Sequence, residues 1–282
     1  MTNNQRDKVE TLMGAQIQHG PLNRRVYLMK LADADPAGLC AELEQFAKDR
    51  EYSKIFAKTP SSQAPKFLEA GYDEEAVIPG YYNGEEAASF LALYLNPKRA
   101  VAENQERIDE VLAMALQKQG AGKSKPLRED AAIRVCAPED AEEMSVIYKQ
   151  VFPTYPFPID KPEYIRETME SNVVYFGVEV DRKLVALSSG EMDKAAMSAE
   201  MTDFATLPKW LGNGFAVHLL AAMEPEMQKR GIKTGYTIAR AVSPGMNITF
   251  AKLGYVFAGC LKNNTNISGQ IESMNVWYRH LA

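Results

Sequence analysis

Glycines at 212 and 214, set between an extended run and the start of an amphipathic helix, give this chain a candidate anion-binding device. The extended run is Met201-Thr202-Asp203-Phe204-Ala205-Thr206. The turn is Leu211-Gly212-Asn213-Gly214, and the helix opens at Phe215-Ala216 and continues through Val217-His218-Leu219-Leu220. Glycines let a ligand approach the backbone closely. The unpaired N–H groups of a helix's first turn, at the positive end of its dipole, can hold a pyrophosphate without a basic side chain. An ordinary helix-capping loop also produces Gly-x-Gly, so both readings stay open on this motif alone. Two carboxylates precede it, Glu200 and Asp203. Strand alternation places Glu200 on the face of Thr202 and Phe204 and Asp203 on the other, unless a bulge intervenes, so one of the two should face a cleft. A surface or ion-paired carboxylate is the alternative for either.

The elements that must position these groups can be read around them. Tyr236-Thr237-Ile238-Ala239-Arg240-Ala241 reads as a second strand, followed by a helix ending Phe250-Ala251-Lys252-Leu253-Gly254-Tyr255 and two strands separated by an Asn-rich turn. Upstream, strands are expected over 26–31 and 54–58, helices over 36–51 and 64–70, and a hairpin of 75–79 with 88–95 around Asn83-Gly84. Asn96-Pro97 is a good helix start ahead of Ile108, Val111, Leu112, Ala115 and Leu116 at helical spacing. The order strand, helix ending in Phe-x-x-x-Gly-Tyr, hairpin occurs at Phe67–Tyr72 and again at Phe250–Tyr255. A degenerate internal duplication explains this, and so does chance recurrence of a helix C-cap. The polar stretch Gln117 to Pro126 reads as a linker, dividing the chain into units 1–118 and 127–282. Its Gly122-Lys123-Ser124 is not a phosphate-binding loop, because Gln117 stands where Gly is needed and Pro126 interrupts the following helix.

Strand, Gly-x-Gly helix, strand, helix and hairpin resemble the GNAT superfamily of acyl-CoA N-acyltransferases. Phe204-Ala205-Thr206-x-Pro208-x-x-Leu211-Gly212-x-Gly214-x-Ala216 follows that superfamily's coenzyme A pattern, departing at Leu211, where Arg or Gln is usual. The longer text narrows the resemblance. Ala199 to Pro208, Ile232 to Ala241, Gly245 to Lys252, Asn263 to Ile267, Glu272 to Tyr278, Tyr27 to Leu31 and Ile78 to Tyr82 together look like the beta-lysine N-acetyltransferase family. The resemblance implies a mixed-sheet α/β GNAT fold preceded by a smaller degenerate GNAT-like α/β unit. It also implies acetyl-CoA as the donor and the side-chain amine of beta-lysine as the acceptor, giving a zwitterion of the compatible-solute kind. Another small amine such as lysine or a polyamine, a protein amine, or a noncatalytic acyl-CoA sensor are the rival readings.

Within the resemblance, residues acquire roles. Phe204, Ala205, Thr206, Leu211, Gly212, Asn213, Gly214, Phe215 and Ala216 would cradle the coenzyme, and backbone N–H groups near 204–206 would receive the oxyanion. Ser243 and Asn247 are expected near the pantetheine arm, although Ser243-Pro244 also suits a helix cap. Phe250 replaces the superfamily's tyrosine acid, with Tyr236, Tyr255 or Tyr278 as possible substitutes. Glu200 is the expected general base and Asp203 the alternative. A base is needed because an alkyl ammonium has a pKa of about 10.4 and is scarcely neutral near pH 7. Tyr155 and Phe157, in the loop 153–158, would wall the acceptor site, or form a packed corner. Glu191, Asp193 and Glu272 would serve the substrate's cations, and Asn263, Asn264 and Thr265 its carboxylate.

Composition is compatible with this. The 282 residues are 46% hydrophobic and 24% charged, with a net charge of −5, which argues against a nucleic-acid partner. Cys40, Cys136 and Cys260 show no disulfide or metal-site spacing, and no segment has a signal or membrane-spanning character. The expected setting is cytoplasmic, with a small-molecule amine as partner, no metal, and a homodimer as the candidate assembly.

Overall fold

The computed structural model describes residues 7–122, 125–267 and 269–281; Lys123 and Ser124 of the linker lie outside the described residues. The first half contributes β1 (Lys8–Leu12), β2 (Ala15–Gly20), β3 (Arg25–Lys30), α1 (Pro36–Lys48), β4 (Lys54–Pro60), α2 (Ala64–Glu69), β5 (Asp73–Tyr82), β6 (Glu86–Tyr94) and α3 (Gln105–Leu116). The second contributes β7 (Ala131–Val135), α4 (Ala141–Val151), α5 (Pro162–Ser171), β8 (Val173–Val180), β9 (Lys183–Asp193), β10 (Ser198–Thr206), α6 (Phe215–Lys229), β11 (Thr234–Arg240), α7 (Pro244–Lys252), β12 (Val256–Ile267) and β13 (Gln270–His280).

All described strands join one 13-stranded sheet in the order β1-β2-β3-β4-β6-β5-β12-β13-β11-β10-β9-β8-β7. The order is nearly palindromic. In each half an antiparallel run leads to one parallel pair, β3–β4 or β10–β11, and then to an antiparallel hairpin, β5–β6 or β12–β13. The two hairpins meet at a seam where Gly259 pairs with Ala76. A Cβ at Gly259 would lie 2.1 Å from the Glu75 carbonyl oxygen, and its φ is +147°, so only glycine fits.

Local chemistry explains the element ends. Asp35 caps α1 by accepting from the Gly38 N–H, with Pro36 in the first turn. Asn83 and Gly84 both take positive φ, which builds the mirror-image turn that suits a twisted hairpin. Asn96 does accept from the Lys98 N–H, but the helix it starts is a single 3-10 turn over Pro97–Ala100; α3 begins only at Gln105. Although α3 precedes the linker, its Ala115 belongs to the second half's core with Phe250, Ala251 and Tyr255, and the Gly120 N–H bonds the Ala251 carbonyl. The Asn-rich segment is not a turn. Asn263 to Asn266 lie within β12, where Asn263 adopts φ +43° and the register with β13 shifts between Leu261 and Thr265. No helix among the described residues is long and apolar enough to cross a membrane.

Candidate active site

β10 and β11 pair only from Ser198–Glu200 to Thr234–Tyr236, yet β10 runs on to Thr206 and β11 to Arg240. The strands therefore diverge, and the edge of β10 facing β11 has no strand partner beyond Glu200. Backbone N–H groups on such an edge are free to meet a ligand. Just beyond, Gly212 and Gly214 both have left-handed φ, +82° and +75°, and a Cβ added at either would meet nothing within 4 Å. Gly214 is the N-cap of α6, so the first-turn N–H groups of a 15-residue helix open onto this space. Asn213 braces the turn by donating Nδ2–H to the Trp210 carbonyl at 2.9 Å, Phe215 anchors it in the core, and Ala216 follows half-buried. Leu211 is 66% exposed beside it. The open cradle and the divergent strands fit an acyl-CoA: the turn suits the pyrophosphate, the gap between strands its thioester arm.

On the opposite face lies a cavity of about 250 Å³, lined from the second half by Glu191, Glu200, Thr202, Asp203, Tyr155, Phe157 and Tyr236, and from the first by Gln18, Arg25, Tyr27, Phe56 and Lys58. Glu200 and Asp203 both reach it because the strand does bulge. The β9–β10 register shifts between Thr202 and Ala205, and Asp203 adopts φ +54°. Phe204 is consequently turned to the other face, where its ring packs edge-on to Phe250 at 5.6 Å; this corrects the expectation that it shares the face of Glu200. Ala205 is buried and Thr206 ends the strand.

Burial pushes the Glu200 carboxyl up to about 8, reinforced by Glu191 and Asp203 and opposed by Lys58 and a hydrogen bond from Tyr236. Glu191 opens to solvent at the cavity rim, but the surrounding concave wall desolvates its carboxyl, and with Asp203 nearby its pKa is also raised. Burial raises Asp203 as well, against hydrogen bonds from Ser189 Oγ, at 2.5 Å, and from the Tyr155 hydroxyl. Three carboxylates with raised pKa values around one cavity are the arrangement expected where protons are moved.

Of the expected site residues, Tyr155, Phe157, Glu191, Asn264 and Thr265 line this cavity with Glu200 and Asp203. Three do not. Glu272 is 4% exposed and held bidentately by Arg240 at 2.6 and 2.7 Å, beside a separate cavity. Asn263 points to that same separate cavity and donates to the carbonyls of Arg99 and Val101. Asp193 accepts from the N–H groups of Ala195 and Ala196 in the β9–β10 turn. Asn247 is withdrawn from any ligand: it is fully buried, donates to the carbonyls of Arg240 and Ser243, and accepts from Asn275 Nδ2 and Trp277 Nε1. Ser243 caps α7 without using its hydroxyl. Phe250 is buried between Phe204 and Tyr255. Of the three tyrosines, Tyr236 alone lines the cavity among the described residues.

Sequence reasoning named none of the residues that the first half contributes to the cavity wall. Lys58 donates to the Tyr81 hydroxyl at 2.8 Å, and Tyr81 donates on to Tyr236 at 3.4 Å. Arg25, 4% exposed, donates from Nη1 to the Asn264 carbonyl at 2.5 Å and to Thr265 Oγ1 at 3.1 Å. Arg25, Tyr27 and Met29 alternate along β3 and face the cavity together, a period-2 signal legible in sequence only once the strand's inner face is known.

Residues 141–255 match the Acetyltransferase (GNAT) family. Over 273 residues the chain is 38% identical to the beta-lysine N(6)-acetyltransferase of Methanococcus maripaludis, covering 97% of this chain and 98% of that protein. It is 34% identical over 263 residues to the beta-lysine N(6)-acetyltransferase of Methanosarcina mazei, covering 86% and 97%. It is 30% identical over 275 residues to the N-acetyltransferase YodP of Bacillus subtilis, covering 95% and 96%.

Proposed function

The chain belongs to the beta-lysine N(6)-acetyltransferase family of GNAT enzymes, and on that premise we propose that it acetylates the side-chain amine of beta-lysine. The observation that carries the reading is the half-buried carboxylate of Glu200, flanked by Glu191 and Asp203, in a cavity at the point where β10 and β11 part.

When bound, acetyl-CoA supplies the acetyl thioester. Gly212 to Ala216 and the start of α6 would hold its pyrophosphate, and Ser243 at the start of α7, whose hydroxyl makes no cap bond, would offer it to the pantetheine arm. The carboxylates of Glu191 and Asp203 draw the distal ammonium into the cavity, while Tyr155 and Phe157 cover its alkyl chain. Glu200 accepts the ammonium proton. With its pKa near 8 rather than 4.5, it is closely matched to an alkyl ammonium of about 10.4, so the transfer is far less uphill than to an ordinary carboxylate. Unpaired N–H groups on β10 beyond Glu200 would supply hydrogen bonds to the thioester oxygen. Tyr236, which holds Glu200 by a hydrogen bond, is the tyrosine placed to return a proton to the leaving thiolate. That demand is small, because a thiol's pKa is only about 8.5.

The first half of the chain, on this reading, is a copy of the second that has lost the coenzyme turn and now completes the acceptor pocket. The shared strand order and the lining by Arg25, Tyr27, Phe56 and Lys58 support it, with units 1–118 and 127–282 joined by the linker. The product keeps one ammonium and one carboxylate and so carries no net charge, as a compatible solute should. The cytoplasm, where the three free cysteines stay reduced, is the fitting compartment.

The test is an amine panel with acetyl-CoA, following free thiol. Beta-lysine should exceed lysine in kcat/KM by at least about tenfold, because buried groups built for the beta-ammonium are left unmatched by lysine. Equal efficiencies, or a preference for spermidine or a peptide amine, would remove beta-lysine as the acceptor while leaving the acetyltransferase in place.

A further inference from the structure

We propose that Arg25, supplied by the degenerate half of the chain, reads the acceptor's carboxylate and thereby sets which amine reaches Glu200. The inference rests on the acceptor-pocket reading above and identifies how that pocket distinguishes an amino acid from a simple polyamine.

Arg25 lines the cavity at 4% exposure, and no ion pair among the described residues includes it. Both of its hydrogen bonds come from Nη1 and end on uncharged oxygens, the Asn264 carbonyl and Thr265 Oγ1, while Nε has no partner. Asp7 acts on it through space but forms no ion pair with it; Asn23 engages its Oδ2, and its Oδ1 has no partner. Its guanidinium lies 5.4 Å from the ring centre of Tyr27 and 5.5 Å from that of Phe56, which fix its plane. A buried guanidinium without a carboxylate is costly to keep and is the best side chain for gripping one. Two neighbours share its condition. Gln18, at 2% exposure, has an unpartnered Nε2, and Asn264, at 1%, an unpartnered Oδ1, and both line the same cavity. Gln18 adds a second donor for a carboxylate; the Asn264 amide oxygen is an acceptor for an adjacent ammonium.

The cavity is therefore bipolar. Arg25 and Gln18 mark a carboxylate end, and Glu191, Glu200 and Asp203 an ammonium end. Tyr27 lies between, within electrostatic reach of both Arg25 and Glu200. Residues 25 and 27 are alternate positions on β3, about 6.7 Å apart. An amino acid with a carboxylate at one end and an ammonium at the other matches the charges of the two poles.

The experiment pairs each acceptor acid with its uncharged amide: beta-lysine with beta-lysinamide, and lysine with lysinamide. The wild type should prefer each acid, and Arg25→Gln should raise KM for the acids on the order of a hundredfold with a smaller change in kcat, bringing the acid-to-amide ratio near one. Acetyl-CoA binding by calorimetry shows whether that variant is folded. If it is not, Arg25→Lys, which keeps the charge but loses the planar fork, carries the test and should give an intermediate ratio. A wild type indifferent to the exchange, or an unchanged ratio in the folded variant, overturns the proposal. Acids preferred throughout without preference for beta-lysine would sink the substrate reading and leave Arg25 in its role. A beta-lysine preference in the wild type together with an unchanged acid-to-amide ratio in the folded Arg25→Gln would do the reverse.

Discussion

Glu191 and Glu200 are directly opposed in the β9–β10 ladder, and both side chains line the cavity shared by the two halves. Like charges in that position repel. The pair is tolerable because one of them holds a proton over much of the neutral range and because Lys58 contributes an opposing charge.

The titration of this pair should be visible in the rate. In the wild type, kcat/KM should rise with pH through an inflection near 8 as Glu200 ionises. Glu191→Gln should move the inflection to lower pH, since it removes the largest charge raising Glu200. Glu200→Gln should abolish the inflection and lower kcat on the order of a hundredfold, with acetyl-CoA affinity retained. Stability should follow the same groups. Unfolded, Glu200 titrates near 4.5; folded, near 8. The folded state thus keeps a proton the unfolded chain has lost, so this contribution is fully present below about 4.5 and disappears as pH rises through about 8. Denaturation of Glu200→Gln across that window should show a flatter pH dependence than the wild type. Full activity in Glu200→Gln with an inactive Asp203→Asn would make Asp203 the base.

Gly214→Val should separate coenzyme binding from folding. The site has room for a side chain, but φ +75° suits glycine, and a β-branched residue there costs about 1–2 kcal/mol. Calorimetry on the folded variant should show acetyl-CoA affinity at least about tenfold weaker, a change of about 1.4 kcal/mol. Unchanged affinity would remove the turn from the coenzyme site.

Asn247→Leu should do the opposite. It strands the Trp277 and Asn275 donors and removes the side-chain bonds to the carbonyls of Arg240 and Ser243, which keep their backbone donors, so thermal denaturation should report a loss of about 3 kcal/mol. Acetyl-CoA affinity of the folded protein should stay essentially unchanged. A large affinity loss at constant melting temperature would restore Asn247 to the coenzyme.

What could be read from sequence was what is locally determined. Gly212, Gly214 and the Asn83-Gly84 hairpin announce themselves because their backbone angles exclude most other residues. Glu200 could be placed on a strand by alternation. The bulge that brings Asp203 to the same cavity and sends Phe204 to Phe250 could not, because it is fixed by partners on β9, α7 and the loop carrying Tyr155. Asn263 to Asn266 look like a turn by composition, yet Asn263 is held inside β12 by the backbone of Arg99 and Val101, far away in the chain. Glu272 was indistinguishable from a substrate ligand until Arg240 appeared beside it. Arg25 carries no motif; its meaning comes from burial and from the lack of a charged partner, neither of which a sequence displays.

The seam at Gly259 and Ala76 bears on what either half could be by itself. Separated there, the sheet of the second half would end in β12 and that of the first in β5, each exposing to water the backbone that now meets at this pair. Such open edges template sheet growth between molecules. The junction is therefore also a mutual shield against aggregation. A truncated second half is expected to self-associate through β12 before any question of acceptor choice arises, so selection for solubility alone would keep the first half attached.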